Sequence, residues 1–228
     1  MNASATTMLI PIALTLVVYE SSRRLFEHSG RKPILHPILV SVTLLIVVLT
    51  ITRTSYERYF NGAQLIHFLL GPAVVGLAVP LYRQLDELRL NIDTILPAMA
   101  TGAMAATASA VGIGWFLGGE SLTIAALAPK SATAPVAMAI GQSIGAIPAL
   151  CAVVAVLTGI VGACLGPLIL DRLGIRDPQA RGLALGTASH GIGTARAFEE
   201  GEQTGTYAGL AMGLTAVALA LVLPMLAL

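Results

Sequence analysis

Two polar stretches interrupt an otherwise apolar chain, and they hold the residues with chemical capacity. The first is Ala128-Pro129-Lys130-Ser131-Ala132-Thr133-Ala134-Pro135, flanked by the apolar arms 121–127 and 136–144. Pro135 lacks an N–H and clashes with the preceding turn, so a continuous helix must break there. It suits the first turn of a new helix, where a missing N–H costs nothing. The N–H groups at such a start carry partial positive charge and attract an anion. Lys130 adds a full charge beside it, and Ser131 and Thr133 add hydroxyls. Together they describe a pocket for a small carboxylate. The alternative is a lysine that snorkels to an interface, with the prolines forming a plain turn.

The second stretch is Gly186-Thr187-Ala188-Ser189-His190-Gly191-Ile192-Gly193-Thr194-Ala195-Arg196. Gly191 and Gly193 permit conformations and close backbone approach that other residues resist. Ser189 and Thr194 are ligand-sized donors, as is Thr187. His190 titrates near neutrality and is the candidate for a coupling proton. Arg196 can hold a carboxylate bidentately, or pair with Glu199 three residues on along a helix face. Paired interrupted segments in an apolar chain point to a transport site at the membrane midplane. The sequence carries no metal signature, no phosphate- or dinucleotide-binding glycine pattern and no nucleophile triad. No catalytic residue, metal or cofactor is therefore expected, and the chain is not read as an enzyme.

The elements that must position these residues are membrane spans. Of the 228 residues, 56% are hydrophobic and 11% charged, with a mean hydropathy of +0.83. A soluble domain carries about 25% charged residues, so the reading is an integral membrane protein in contact with the lipid bilayer. Nothing resembles a soluble linker, so a single domain over 1–228 is expected. A net charge of +1 argues against nucleic acid. Cys151 and Cys164 fall on one expected helix about 20 Å apart, too far to bridge. No basic residue precedes the first apolar run, whereas Arg23, Arg24, Arg31 and Lys32 follow it. That order suggests a retained first span with its N-terminus outside.

The fold class expected is all-α, a polytopic transmembrane helical bundle with discontinuous or re-entrant helices. Spans are expected over about 7–20, 33–52, 63–82 (interrupted at Gly71-Pro72 and closed by Pro80), 95–117, 148–170 and 206–223. The two broken elements are 121–144 and 182–198, the second interrupted around 189–193. His36 reads as a tip residue and His67 as packing. The polar stretch 83–93 reads as a solvated loop. Small residues recur every four positions at Ala98, Gly102, Ala106, Ala110, Gly114 and Gly118, a face that lets a neighbour approach closely. Ala155, Gly159 and Ala163 form a similar face, as do Gly205, Gly209 and Gly213. Pro72…Pro97 and Pro135…Pro148, each followed by a small-residue helix, hint at an inverted repeat.

Loop charge tests the topology, because cytoplasmic loops are rich in Lys and Arg. The loops at 23–32 and after Arg172 fall on one side only if 121–144 enters and leaves on the same side. Its arms of eight to ten residues reach roughly 12–15 Å, half of a ~30 Å core, which favours a re-entrant hairpin over a full crossing. Arg53 and Arg58, in a loop expected outside, count against this assignment.

At these stretches the chain resembles the LrgB/CidB family. The resemblance rests on Pro129 through Met138, on Ala180 through Ala184 with Ser189 through Ala197, and on Leu70-Gly71-Pro72-Ala73-Val74-Val75 with Val79-Pro80-Leu81-Tyr82. It covers nearly the whole chain. Where the family usually reads Pro-Lys-Ser-Val-Thr-Thr-Pro, this chain has Ala132 and Ala134, and so one hydroxyl fewer. The resemblance implies a multi-pass protein of the cell inner membrane, partnered by a smaller LrgA/CidA-type membrane protein. Two activities attach to it: control of murein hydrolases and autolysis in the manner of an antiholin, and transport of small carboxylates such as pyruvate, glycolate or glycerate. On the transport reading, Lys130, Ser131 and Thr133 hold the anion with help from Ser189, Thr194 and Arg196, and His190 carries the proton. On the antiholin reading, the small-residue faces are interfaces of a homo-oligomer.

Overall fold

The computed structural model describes residues 3–30, 35–76, 82–83 and 85–226, and among them every regular element is a helix. Residue contacts divide the chain into two compact units, Met1–Ala78 and Val79–Leu228.

The first unit contains α1 (Ala3–His28), α2 (Pro37–Ile51) and α3 (Tyr56–Gly76), with α1 packed on both others. Pro37 opens α2 at the position where its missing N–H costs nothing. The Thr15 hydroxyl meets the Tyr59 hydroxyl at 2.6 Å and ties α1 to α3. His36 does sit at the tip of α2, but it is buried with its ring 5.7 Å from Phe26. His67 packs edge-on to Phe60, as expected. The expected interruption at Gly71-Pro72 is corrected: α3 runs through Pro72 without a break. One proline removes a single backbone bond, which a membrane helix tolerates. Arg31, Lys32 and Pro80 lie outside the described residues.

The second unit contains α4 (Leu85–Leu90), α5 (Ile92–Phe116), α6 (Ser121–Leu127), α7 (Ala134–Ser143), α8 (Pro148–Arg172), α9 (Pro178–Glu200) and α10 (Glu202–Leu226). The stretch expected as a loop over 83–93 therefore holds a short helix and the start of α5. Helices α5, α8 and α10 are each 25 residues and apolar enough to cross a membrane, about 37 Å at 1.5 Å per residue. Helix α8 shows why: Val153, Leu157, Val161, Leu165 and Ile169 form an exposed apolar stripe, while Ala155, Gly159 and Ala163 are buried opposite it. Such a stripe is costly in water and suits lipid.

Packing fixes the directions. Leu170 of α8 clusters with Leu185 and Ala197 of α9 and Ala208 of α10, so the end of α8 meets the beginning of α10. Ile95 and Met99 of α5 pack with Tyr207 and Ala211, so α5 begins at that same end of the unit. At the opposite end, Leu219 and Leu223 of α10 share one buried cluster with Ile140 of α7 and Cys151 of α8. Thus α5 and α10 run one way and α8 runs the other. Cys151 and Cys164 are buried and unbridged.

Candidate functional site: two hairpins that meet at their tips

Helices α6 and α7 form a hairpin inserted from the end where α5 finishes. The four-residue turn after Phe116 sends α6 back along α5, and the Thr107 hydroxyl donates to the Ala128 carbonyl at 3.3 Å near the middle of α5. Helix α7 then returns. Its Gly141 lies hard against Cys151 of α8, and Ala146 N–H bonds the Gly141 carbonyl at 2.8 Å to close the turn into Pro148. The arms diverge, α6 onto α5 and α8, α7 onto α8 and α10. The expected re-entrant element over 121–144 is therefore what this unit contains.

The sequence explains the tip. Lys130 N–H bonds the Leu127 carbonyl at 3.3 Å and Ala132 N–H bonds the Pro129 carbonyl at 2.9 Å, two tight turns that end α6. Thr133 is extended (φ −63°, ψ 152°), and Pro135 follows in the first turn of α7. No side chain caps that helix start. Ser131 is fully buried, and its hydroxyl has no hydrogen-bond partner. Lys130 is half-buried beside it.

Helix α9 is a second hairpin, inserted from the opposite end. Asp177 caps its start by accepting from Ala180 N–H at 2.8 Å. The backbone breaks at His190, with φ 44° and ψ −134°. A residue with a side chain rarely adopts this conformation, and holding it costs roughly 1–3 kcal/mol. The two arms run in opposite senses along α10. Added methyl groups on Gly182 and Gly186 would strike Ala208 and its neighbours, then Gly191 faces Met212, whereas Gly209 faces Thr194 and Gly205 faces Phe198. The feet are joined: Arg181 Nε bonds Glu200 Oε2 at 2.7 Å, and its Nη1 bonds Asp171 Oδ1 at 2.7 Å. Each arm spans roughly 15–18 Å, about half a ~30 Å core.

The small-residue face of α8 is the seat for this tip. A Cβ on Gly159 would lie 2.8 Å from His190 Cε1, one on Gly162 would collide with Ser189, and one on Gly166 would lie 2.7 Å from Leu185. His190 is buried, and its Nε2 donates to the Ala155 carbonyl at 2.8 Å. Thr194 Oγ1 donates to the His190 carbonyl at 2.9 Å, stitching the break from the returning arm. Gly159 stands near the middle of α8, so the tip lies halfway through the bundle.

The two tips meet there. A methyl on Gly191 would lie 3.9 Å from Thr133 Cγ2 and 3.6 Å from Met212 Sδ. Lys130, three residues before Thr133, belongs to the same tip. Two helix starts, those of α7 and of the returning arm of α9, converge on this point from opposite ends. Their partial positive charges add to Lys130. Lys130, Ser131, Thr133, Ser189, His190 and Thr194 are thus all brought to one region. Arg196 is not at the tip: it lies on the returning arm toward the feet, 3.6 Å from both Glu199 and Glu200. Among the described residues no group of three or more His, Cys, Asp or Glu is placed to hold a metal. A groove of about 930 Å³ occupies the first unit, lined in part by Pro11, Leu49, Arg58 and Tyr59, and includes none of the tip residues.

The opposed pair of elements is 121–143 against 178–200. Of the prolines in the suggested repeat, Pro97 lies inside α5 while Pro148 opens α8. Sequence reading also passed over Thr215, a buried hydroxyl on α10. A lone threonine in an apolar helix gives no signal of its own.

The profile of the LrgB-like family matches residues 15–228. The chain is 32% identical over 223 residues to the antiholin-like protein LrgB of Bacillus mycoides (strain KBAB4), covering 98% of this chain and 97% of that one. The same figures hold for the antiholin-like protein LrgB of Bacillus cereus (strain B4264) and of Bacillus anthracis (strain CDC 684 / NRRL 3495). No solved structure matches the chain. The chain belongs to the LrgB-like family, and its match runs through both compact units.

Proposed function

We propose that this member of the LrgB-like family is a multi-pass membrane carrier for small 2-oxo or 2-hydroxy carboxylates of the pyruvate, glycolate and glycerate type, coupled to protons. One observation carries the reading: two half-helix hairpins enter from opposite ends and touch at mid-bundle, Thr133 against Gly191 next to His190, with Lys130 and the buried, unpartnered Ser131 on the same turn as Thr133. Discontinuous helices with their N-terminal ends aimed at an anion are the construction expected of a carrier site. In this reading Lys130 supplies the charge, Ser131 and Thr133 the hydroxyl contacts, and Ser189 and Thr194 hold the opposing tip. His190 accepts and releases the proton. Arg196, bound to Glu199 and Glu200, acts from the hairpin feet instead of touching the anion.

The test is uptake of labelled glycolate or pyruvate into vesicles containing purified protein. Replacing Lys130 with Met removes a charged hydrogen bond and is expected to weaken half-saturation by roughly 10–100-fold while leaving the fold intact. Equal uptake by Lys130→Met, His190→Ala and the unaltered protein ends this reading.

A second reading is favoured by a specific observation, the name antiholin-like protein carried by the relatives. That name supports it more directly than it supports transport. Here the protein assembles with a smaller LrgA/CidA-type partner, or with further copies of itself, in the cell inner membrane and restrains autolysis. Gly205 and Gly209 are taken up by Phe198 and Thr194 of α9, so the open part of that ridge is Gly213; Gly213→Leu should then abolish lysis control, whereas Lys130→Met should leave it untouched.

A further inference from the structure

Hydroxyls on the helices of this chain have a strong local habit. Thr15, Ser22, Ser41, Thr43, Thr50, Thr101 and Thr206 each donate to the carbonyl four residues back, at 2.6–2.9 Å. This is the ordinary way to satisfy a hydroxyl in lipid. Two fully buried hydroxyls depart from it and have no partner: Ser131 at the α6–α7 tip and Thr215 on α10. An unsatisfied buried hydroxyl costs free energy that a local bond would have spared. The Ala211 carbonyl stands one turn back from Thr215, yet the side chain does not use it.

The position of Thr215 is informative. Met212, one turn before it, lies beside Gly191 at the tip of the α9 hairpin, and Leu219, one turn after it, belongs to the same buried cluster as Ala132 of the α6–α7 tip. Met212, Thr215 and Leu219 lie on one buried face of α10. Thr215 therefore sits on the wall that spans the two tips. The geometry points to Thr215 as a specificity-determining residue of the tip site: with Ser131, it hydrogen-bonds the oxygen that a 2-hydroxy or 2-oxo acid carries beside its carboxylate. This rests on the carboxylate reading above. The division of labour follows from chemistry, with Lys130 and the helix starts taking the charge and two neutral hydroxyls taking the neighbouring oxygen.

Glycolate and acetate differ by that one oxygen, so they separate the roles. Binding is read as ligand-induced rise in unfolding temperature of the full-length protein in detergent, and as competition in vesicle uptake. The unaltered protein should prefer glycolate to acetate. Thr215→Val keeps the shape and removes the hydroxyl, and should weaken glycolate about fivefold while leaving acetate unchanged. Thr215→Ser should restore the preference, and Ser131→Ala should act in the same direction as Thr215→Val. If Thr215→Val keeps the full preference, or weakens both acids alike, the assignment is overturned. If the unaltered protein binds neither acid, the carboxylate reading falls and takes this assignment with it.

Discussion

Arg181 holds Glu200 across nineteen positions of sequence, Nε to Oε2 at 2.7 Å and Nη2 to Oε1 at 3.1 Å. This bond proves the direction of α9: its first and last turns stand side by side, so the helix folds back at His190. Both side chains are mostly buried, with 12% and 14% exposure. Burial makes the loss of one partner expensive, because the other charge is left uncompensated. Arg181→Ala is expected to cost roughly 3 kcal/mol in detergent unfolding. Arg181→Lys should recover only part of it, since lysine keeps the charge but not the planar fork. In a double-mutant cycle with Glu200→Gln, additive losses would refute the latch.

The glycines on the packed faces are not equivalent. A methyl on Gly186 would drive into the Ala208 carbonyl, backbone that cannot step aside, whereas one on Gly213 meets nothing. Gly186→Ala should destabilise by about 1–3 kcal/mol. Gly213→Ala should be neutral or gain up to about 1 kcal/mol from helix propensity. Comparable unfolding temperatures for the two variants would show that the α9–α10 approach is looser than described.

Much of this arrangement is legible in the residues. Pro129, Lys130 and Pro135 mark the first tip because each is poorly tolerated inside a buried helix, and the Ser-His-Gly-Ile-Gly run marks the second. The return of α9 to its starting end is not legible, because it depends on a pairing between residues 181 and 200 that no local pattern announces. Gly71-Pro72 resembles a break by the same rule that locates Pro135, yet α3 absorbs it. The difference is what stands beside the proline: Lys130 and four small residues, two hydroxylated and two alanine, in one case, an apolar run in the other. Thr215 is invisible for a related reason, since its meaning comes from a bond it does not make.

His190 combines a strained backbone with a useful side chain, and substitutions separate the two. His190→Gly relaxes the φ of 44° but loses the bond to the Ala155 carbonyl, whereas His190→Ala loses the bond and keeps the strain. The glycine variant should therefore unfold about 1–2 kcal/mol later than the alanine variant. Proton-coupled uptake should be absent from both. Equal stability would mean that the turn at 190 relaxes once the ring is gone.

Contact between the tips can be trapped. With Cys151 and Cys164 replaced by alanine, Thr133→Cys paired with Gly191→Cys should form a disulfide under mild oxidant, because a methyl on Gly191 already lies 3.9 Å from Thr133 Cγ2. The bridged protein should bind no glycolate and recover on reduction. Absence of the cross-link, with both thiols reactive to a small maleimide, would show that the tips stand apart.

On the carrier reading, because each hairpin is rooted at one end only, the barrier between the two sides of the membrane would be no thicker than the two turns that touch. On an energised membrane most of the electrical potential would fall across that thin septum, and Lys130 stands inside it. A charge held there would experience a steep local field without travelling far, so a small parting of the turns could exchange which reservoir it faces.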